Sequence, residues 1–189
     1  MTGMTDITHL TLDELNAGLI RIGRSPKDHG TLDMIVRRPQ VDEREVLEQG
    51  ELDVTAGLTG DNWKTRGDRK TADGSAHPDK QLNIMNSRVI ALIAQRRDRW
   101  KLAGDQLFID MDLSAENLPP GSRLAIGSSV IEVTAEPHNG CHKFVDRFGL
   151  DAMKFVNSIL GKQLHLRGIN AKVIQSGTIR TGDSVNKLS

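Results

Sequence analysis

Two short apolar runs flank a turn of small residues in Leu124-Ala125-Ile126-Gly127-Ser128-Ser129-Val130-Ile131-Glu132-Val133-Thr134. The β-branched residues of the second run suit a pleated, half-buried strand. Glycine and serine between the runs are typical turn residues, because they adopt or stabilise the tight backbone that a reversal needs. The stretch therefore predicts a β-hairpin.

Further strands are predicted on both sides of this hairpin, at residues 32–36, 82–85 and 106–110. The first of these stops at Pro39, and residues 44–48 fit a strand or a helix equally well. Near the end of the sequence, residues 171–174 and 178–180 suggest a second hairpin around Ser176-Gly177. Many short strands with few helices between them favour a mainly β fold, a closed or nearly closed barrel with a few helices.

Three helices are predicted from capping residues and apolar spacing. Thr11 and Glu14 fit a capping box, which predicts a helix over residues 11–23. A second helix follows the strand at 82–85, and Arg96-Arg97-Asp98-Arg99 is expected to be its solvated C-terminal end. A third helix is expected to begin near His142, because apolar residues recur there at helical spacing.

Composition excludes several classes of function. Lysine plus arginine and aspartate plus glutamate each number 25 among 189 residues, so no basic excess indicates nucleic acid. Tyrosine is absent and aromatic residues make up 3%, which argues against a base-stacking surface. No apolar run approaches transmembrane length. We therefore expect neither a nucleic-acid partner nor a membrane partner.

The length is typical of one domain with a small extension. We expect residues 1–56 to form an N-terminal helix and strand extension packed on a barrel domain at residues 57–189. Met1-Thr2-Gly3-Met4-Thr5-Asp6 lacks the basic-then-apolar pattern of a signal peptide. A single cysteine excludes an intrachain disulfide framework and is compatible with a reducing compartment. The expected location is the cytoplasm.

Cys141 stands in Glu136-Pro137-His138-Asn139-Gly140-Cys141-His142-Lys143, where a tight turn ends and a helix is expected to begin. Unpaired N–H groups at a helix start favour a thiolate over a thiol. His138, His142 and Lys143 would act in the same direction when charged. A buried structural cysteine is the other interpretation, and both stay open on local chemistry alone.

Several segments also resemble a known family. Leu118-Pro119-Pro120-Gly121-Ser122-Arg123-Leu124-Ala125-Ile126-Gly127 is similar to its L-x-x-G-x-x-L-x-I-G segment, and Gly57-Leu58-Thr59-Gly60-Asp61 to its G-L-x-G-D opening. The Pro137-to-Cys141 stretch, residues 167–174 and residues 177–185 follow in the family's order. Together they resemble a MOSC domain, the module also found at the C-terminus of molybdenum cofactor sulfurases. Where many members have a basic residue and a proline before the cysteine, this chain has Asn139-Gly140.

The resemblance implies a mostly antiparallel β-barrel of the pyruvate-kinase-barrel type. It also implies that Cys141 binds molybdenum cofactor (molybdopterin) or carries sulfur for it, with Cys141 as the metal ligand. The chain is too short to include the pyridoxal-phosphate domain that mobilises sulfur in sulfurases.

Other residues are candidates for contacts with such a cofactor. Arg167 is the first choice for its phosphate, because a guanidinium is a planar fork of donors. Asp61, Asn62 and Asn83 have the donors and acceptors to bind a pterin edge, although Asp61 is also suited to stabilising its own turn. His138 is the candidate proton donor or acceptor.

These residues lead to three hypotheses, and whether the protein is an enzyme stays open among them. The first is a cofactor-binding or sulfur-carrying protein that reduces small N-hydroxylated compounds. It would need an external electron-donor protein, because one cysteine cannot ligate an iron–sulfur cluster. The second is a non-catalytic carrier that passes cofactor or sulfur to an accepting protein, or a small-ligand binding module. The third is a structural domain in which Cys141 is part of the core.

Overall fold

The computed structural model describes residues 7–189, and Met1-Thr2-Gly3-Met4-Thr5-Asp6, where no signal peptide is expected, lies outside them. The strands are β1 (Gly30–Arg37), β2 (Glu45–Leu47), β3 (Gln49–Asp53), β4 (Gly57–Leu58), β5 (Leu82–Asn86), β6 (Leu107–Asp110), β7 (Arg123–Ile126), β8 (Ser129–Val133), β9 (Ile169–Gln175), β10 (Gly177–Arg180) and β11 (Ser184–Leu188). The α-helices are α1 (Leu12–Ala17), α2 (Leu19–Ile22), α3 (Trp63–Arg66), α4 (Ser87–Ala94), α5 (His142–Phe148), α6 (Leu150–Asn157) and α7 (Ile159–Gln163).

A closed barrel forms the centre of the described chain. Its strands follow the order β11-β7-β8-β9-β5-β6-β1, and β1 pairs back to β11 with Gly30 opposite Val185. Neighbouring strands are antiparallel except β5 and β6, which are parallel. Closure removes free strand edges from the ring. The predicted mainly β closed barrel with helices is confirmed.

The hairpin predicted from the opening stretch is present as β7 and β8, with Leu124 opposite Ile131. Gly127 lies in the turn with a φ of 55°, a left-handed conformation that glycine adopts without a steric cost. The alternation along β8 places Ile131 and Val133 in the barrel interior, where they are 0% and 2% exposed. Burying such a side chain contributes about 1.5–3 kcal/mol.

The second predicted hairpin is wrong. Strand β9 pairs with β5 and β8 in the barrel, whereas β10 pairs with β3 in a separate sheet of order β10-β3-β4. The chain leaves the barrel between the two strands, and Val54 N–H donates to the Ser176 hydroxyl at 3.0 Å to join the two sheets there. The partner of β10 is thus distant in sequence, which local alternation does not indicate.

Helices cover one side of the barrel and enclose a second apolar cluster that includes Phe144, Phe148 and Phe155. The predicted capping box is present, since the Thr11 hydroxyl accepts from Glu14 N–H and the Glu14 carboxylate accepts from Thr11 N–H. The helix expected to begin near His142 is α5, and Gly149, at a φ of 89°, separates it from α6.

The predicted helical end at Arg96-Arg97-Asp98-Arg99 is wrong. Helix α4 stops at Ala94, because Gln95 adopts a left-handed φ of 61°. Residues Arg97–Ala103 then form a 3-10 helix, in which the Arg97 guanidinium lies 4.8 Å from the centre of the Trp100 ring. Arg97 and Arg99 therefore belong to a separate 3-10 helix, which ends two residues before the buried Asp105.

Strand β1 lies within the expected extension, residues 1–56, and is nevertheless one of the barrel strands. The domain boundary at residue 57 stays a prediction. The ambiguous residues 44–48 form a strand, β2, that pairs with β1 outside the ring. Within residues 7–189, no helix has both the length and the apolarity needed to cross a membrane.

Candidate functional site

A buried ion pair between Arg38 and Asp61 lies at one end of the barrel. Arg38 follows the end of β1, and its side chain is 5% exposed while that of Asp61 is 0% exposed. The guanidinium donates from Nε to Asp61 Oδ2 and from Nη2 to Asp61 Oδ1, each at 2.8 Å. Asp61 Oδ1 also accepts from Trp63 N–H at 3.0 Å. Asp61 therefore stabilises its own turn and anchors Arg38.

Two asparagines extend this pair towards the segment that precedes Cys141. Arg38 Nη1 donates to Asn83 Oδ1 at 3.0 Å, and Asn83 Nδ2 donates to Asn170 Oδ1 at 2.6 Å. Asn170 Nδ2 then donates to the carbonyls of Glu136 and Pro137. The chain of hydrogen bonds fixes the backbone just before His138, because every side-chain polar atom of the two asparagines has a partner.

A second buried ion pair lies beside the first. Asp105 is fully buried, and its Oδ2 accepts from Arg167 Nη1 at 2.7 Å. His138 Nε2 lies 2.7 Å from Asp105 Oδ1 and 2.8 Å from Arg167 Nη1. Arg167 Nη2 donates to the Ala103 carbonyl at 3.0 Å, and the guanidinium lies 5.0 Å from the centre of the Phe144 ring.

Burial and charge set the protonation of this second pair. Burial alone would raise the pKa of Asp105, but the positive charge of Arg167 and contact with His138 more than offset it, so the pKa is lowered. Burial lowers the pKa of His138, and Arg167 lowers it further against the opposing effect of Asp105. At neutral pH Asp105 is therefore ionised and His138 is neutral.

Neutral His138 has two tautomers in these surroundings. In one, Nε2–H donates to Asp105 and Nδ1 is an acceptor; in the other, Nε2 accepts from Arg167 and Nδ1–H is a donor. The His138 side chain is 14% exposed, and Nδ1 has no hydrogen-bond partner among residues 7–189. In the first tautomer, Nδ1 is thus the atom at which neutral His138 can accept a proton, which the resulting imidazolium can then release.

Gly168 allows β9 to begin beside His138. Its φ is 122°, and a Cβ at this position would overlap the Ile84 carbonyl oxygen and lie 2.9 Å from His138 Cδ2. Only glycine fits this close approach without displacing β5 or the imidazole. The glycine therefore allows β5 and His138 to lie close to the start of β9.

Cys141 lies outside the two ion pairs. It is exposed, and as the N-cap residue of α5 it accepts from Phe144 N–H through its carbonyl at 2.9 Å. Its expected cationic neighbours face carboxylates: His142 Nε2 is 3.5 Å from Asp146, and Lys143 Nζ is 2.9 Å from Asp42. Within residues 7–189, no group of three or more His, Cys, Asp or Glu side chains is arranged to hold a metal.

Cationic side chains gather along the helix that Cys141 caps. Arg147 of α5 lies 3.2 Å from Asp42, the carboxylate that also pairs with Lys143. Arg44 is half-buried, and its Nε is buried without a hydrogen-bond partner in the described chain. Burial, followed by the charges of Arg147 and Arg38, lowers the pKa of Arg44. We call Arg44 and Arg147, together with Lys143, the arginine group. Asp42 pairs with Lys143 and Arg147, and Arg44 is the member whose buried Nε has no partner in the described chain.

His138 also lines a cavity of about 360 Å³. Its walls are the segment from Val133 to Asn139, the start of β9 and helix α7. Cys141 is not among the residues that line it. His138 thus lies in the wall of the cavity, whereas Cys141 does not.

The predicted site residues divide into two sets. The structure brings Asp61, Asn83, His138 and Arg167 into one buried region, where contacts with Arg38, Asn170 and Asp105 use most of their hydrogen-bonding capacity. Asn62 is buried beside Arg38, and its Oδ1 has no partner among residues 7–189. Cys141 stands apart and exposed. The assignment of all six to a ligand stays a prediction.

Sequence reasoning missed Arg38 and Asp105. Arg38 precedes the proline that ends β1, and Asp105 lies two residues before the start of β6. A charged residue that flanks an apolar strand is the signal in both cases, but it does not distinguish a buried ion pair from a solvated side chain.

Comparisons with known proteins agree with the barrel. The family model for the MOSC domain matches residues 71–186. YuaD from Bacillus subtilis is similar in structure, with a TM-score of 0.60 and 17% identity over 84% of this chain and 94% of that one. YiiM from Escherichia coli has a TM-score of 0.54 and 19% identity, over 84% of this chain and 70% of that one. YiiM from Geobacillus stearothermophilus has a TM-score of 0.54 and 13% identity, over 85% of this chain and 75% of that one. A search of curated protein sequences gave no match.

Proposed function

The chain belongs to the MOSC domain family, and from that premise we propose that it binds molybdenum cofactor, or carries sulfur destined for it, through Cys141. The observation that carries the proposal is an exposed thiol at the start of α5, the helix that contains Lys143 and Arg147 of the arginine group. A thiolate is a soft ligand for a metal and an acceptor for a persulfide sulfur. The barrel that holds it is of the MOSC type.

The cationic residues of α5 and the nearby Arg44 fit an anionic cofactor. A pterin cofactor has a phosphate, and the buried Nε of Arg44 is a donor without a partner in the described chain. Arg44 and Lys143 would therefore hold the phosphate, and Cys141 would hold the metal or the sulfur. Arg167 is less available, because Asp105 and the Ala103 carbonyl already occupy its guanidinium.

When bound, the cofactor would supply two-electron redox chemistry at its metal. Reduction of an N-hydroxylated compound breaks the N–O bond, consumes two electrons and two protons, and releases water. We assign the electrons to an external reductase, and one of the two protons to His138, which accepts it from solvent at Nδ1 before delivering it. Asp105 and Arg167 position the imidazole, and donation from Nε2–H to Asp105 leaves Nδ1 free to accept that proton.

The test is a non-denaturing intact mass of the protein made in a host that synthesises molybdenum cofactor. Wild type should show an added pterin–molybdenum mass or one added sulfur, and Cys141→Ala should show neither. Arg44→Gln should lose the pterin mass but keep an added sulfur, which separates the two ligands. Arg37→Gln, at the adjacent exposed ion pair with Glu45, is the matched control.

Retention of the ligand by Cys141→Ala would overturn the proposal. The alternative function is a non-catalytic carrier or small-ligand binding module, and the separation of Cys141 from the cavity favours it. Turnover of an N-hydroxylated compound in the presence of a reductase would contradict that alternative. Ligand retention by wild type without turnover would support it.

A further inference from the structure

The cavity beside His138 has an apolar floor and a polar rim. Four residues supply the floor: Leu118, Val133, Val156 and Ile169. Asn139, Lys162 and His165 also line it, at its exposed or half-exposed margin. Its volume of about 360 Å³ is near the small end of ligand pockets, which span about 300–1,000 Å³. The ligand is therefore small, with an apolar body and a polar group directed at the rim.

Lys162 gives the rim a positive charge. It lies in the last turn of α7 and is exposed. The ion pairs of the neighbouring elements are made by Lys154 with Asp151 and by Lys172 with Asp79 and Glu132. Lys162 has no carboxylate within 4.0 Å among residues 7–189, so its ammonium is available to a ligand.

His165 is held next to Lys162 in an uncommon conformation. Its φ is 48°, in the left-handed region that non-glycine residues adopt rarely. Nδ1 lies 2.7 Å from the Leu113 carbonyl, which can only accept, so Nδ1 is the protonated nitrogen. The Gly168 N–H also donates to the His165 carbonyl at 2.8 Å. These contacts fix the ring and leave Nε2 without a partner in the described chain.

The charges of the residues that line the cavity determine which class of ligand it can bind. Arg167 is neutralised by Asp105 within the wall. Glu136, the one carboxylate of the lining, shares Lys80 with Asp68, since Lys80 lies 3.9 Å from Glu136 and 2.7 Å from Asp68. Among the described residues that line the cavity, Lys162 is therefore the cationic side chain without a carboxylate partner. We propose that this cavity binds a small organic carboxylate, with its carboxyl group at Lys162 and His165 and its apolar body on the floor.

This inference concerns the cavity and not the thiol, so its failure and that of the proposed function are distinguishable. The probes are benzoate and benzamide, which have similar shapes and differ in charge. Titration of the ¹⁵N-labelled protein, followed by NMR, gives the affinity and the residues affected. Wild type should bind benzoate about tenfold more tightly than benzamide, with shifts at residues 133–139 and 161–170.

Variants separate the carboxylate contact from the cavity itself. Lys162→Met should weaken benzoate binding about tenfold and leave benzamide binding within about twofold. His165→Asn keeps a residue that tolerates a positive φ and should weaken benzoate binding to a smaller extent. Lys154→Met, which removes an exposed lysine of α6 outside the cavity, should change neither affinity. Cys141→Ala should also leave benzoate binding unchanged.

Three results would overturn the inference. The first is equal affinity for benzoate and benzamide in wild type, and the second is unchanged benzoate affinity in Lys162→Met. The third is the absence of shifts at the cavity with either probe. Tighter binding of phenyl phosphate than of benzoate would reassign the cavity to a phosphate ligand and would equally contradict a carboxylate site.

Discussion

The buried region at the end of the barrel and the segment at residues 139–148 both contain cationic side chains. Those of the first are buried in ion pairs, whereas those of the second lie near the surface. In the buried region, Arg38 and Arg167 each pair with a carboxylate that is 0% exposed. Along the segment, Cys141 is exposed and the nearby Arg44 has a donor without a partner in the described chain. Polar residues that resemble ligand contacts in sequence can thus be fully used within the protein. Unsatisfied groups are the better indication of a ligand.

The largest expected effect tests whether the buried region is structural. Arg38→Ala leaves Asp61 as a buried charge without its partner, so the free energy of unfolding should fall by about 3–5 kcal/mol. Urea denaturation followed by circular dichroism measures it. Arg37→Ala, which breaks the exposed pair with Glu45, should cost about 0–1 kcal/mol. An equal loss of unfolding free energy in the two variants would contradict the difference between the buried and the exposed ion pair.

The second effect depends on pH. Because burial lowers the pKa of His138, the unfolded chain binds a proton that the folded chain does not. Its contribution to stability is complete above the unfolded pKa of about 6.5 and is lost as the pH falls from there towards the folded pKa. The free energy of unfolding of wild type should therefore decrease between pH 6.5 and pH 5.

His138→Gln should show a smaller decrease over the same pH range. His29→Gln replaces a histidine whose side chain is 82% exposed. It is the matched control, and its free energy of unfolding should vary with pH as that of wild type does. Denaturant titrations at half-unit steps of pH give both profiles. An unchanged slope in His138→Gln would contradict the burial of a neutral imidazole beside Arg167.

The smallest expected effect on the free energy of unfolding is that of replacing Cys141, in the segment at residues 139–148. Cys141→Ser should change the free energy of unfolding by no more than about 0.5 kcal/mol, because the thiol is exposed and caps no N–H group with its side chain. Urea denaturation of the ligand-free protein checks it. A loss of several kcal/mol would show instead that Cys141 is part of the core.

Elements with local signals could be predicted from the sequence. The β7–β8 hairpin contains its own turn, and the Thr11 capping box contains its own hydrogen bonds. The pairing of β10 with β3 could not be predicted in this way, since the partners are more than a hundred residues apart. The end of α4 at Gln95 was missed as well, because glutamine is not a residue that marks a left-handed cap.

The site was predicted in composition but not in arrangement. His138 and Arg167 were selected for their chemistry, and the structure brings them within 2.8 Å of each other. Their common partner Asp105 comes from the far end of a 3-10 segment, so only the tertiary fold reveals it. Arg38 was missed for the same reason, since its partner Asp61 lies beyond β2, β3 and β4.

Closure of the ring through β1 and β11 also has a kinetic consequence. The two strands come from opposite ends of the described chain, so their pairing closes a long loop, and non-local pairing of this kind slows folding. Until it forms, β1 and β11 each present an unpaired edge. Unpaired edges are templates for association between chains. We therefore expect refolding yield to fall with protein concentration, although the native barrel has a closed ring.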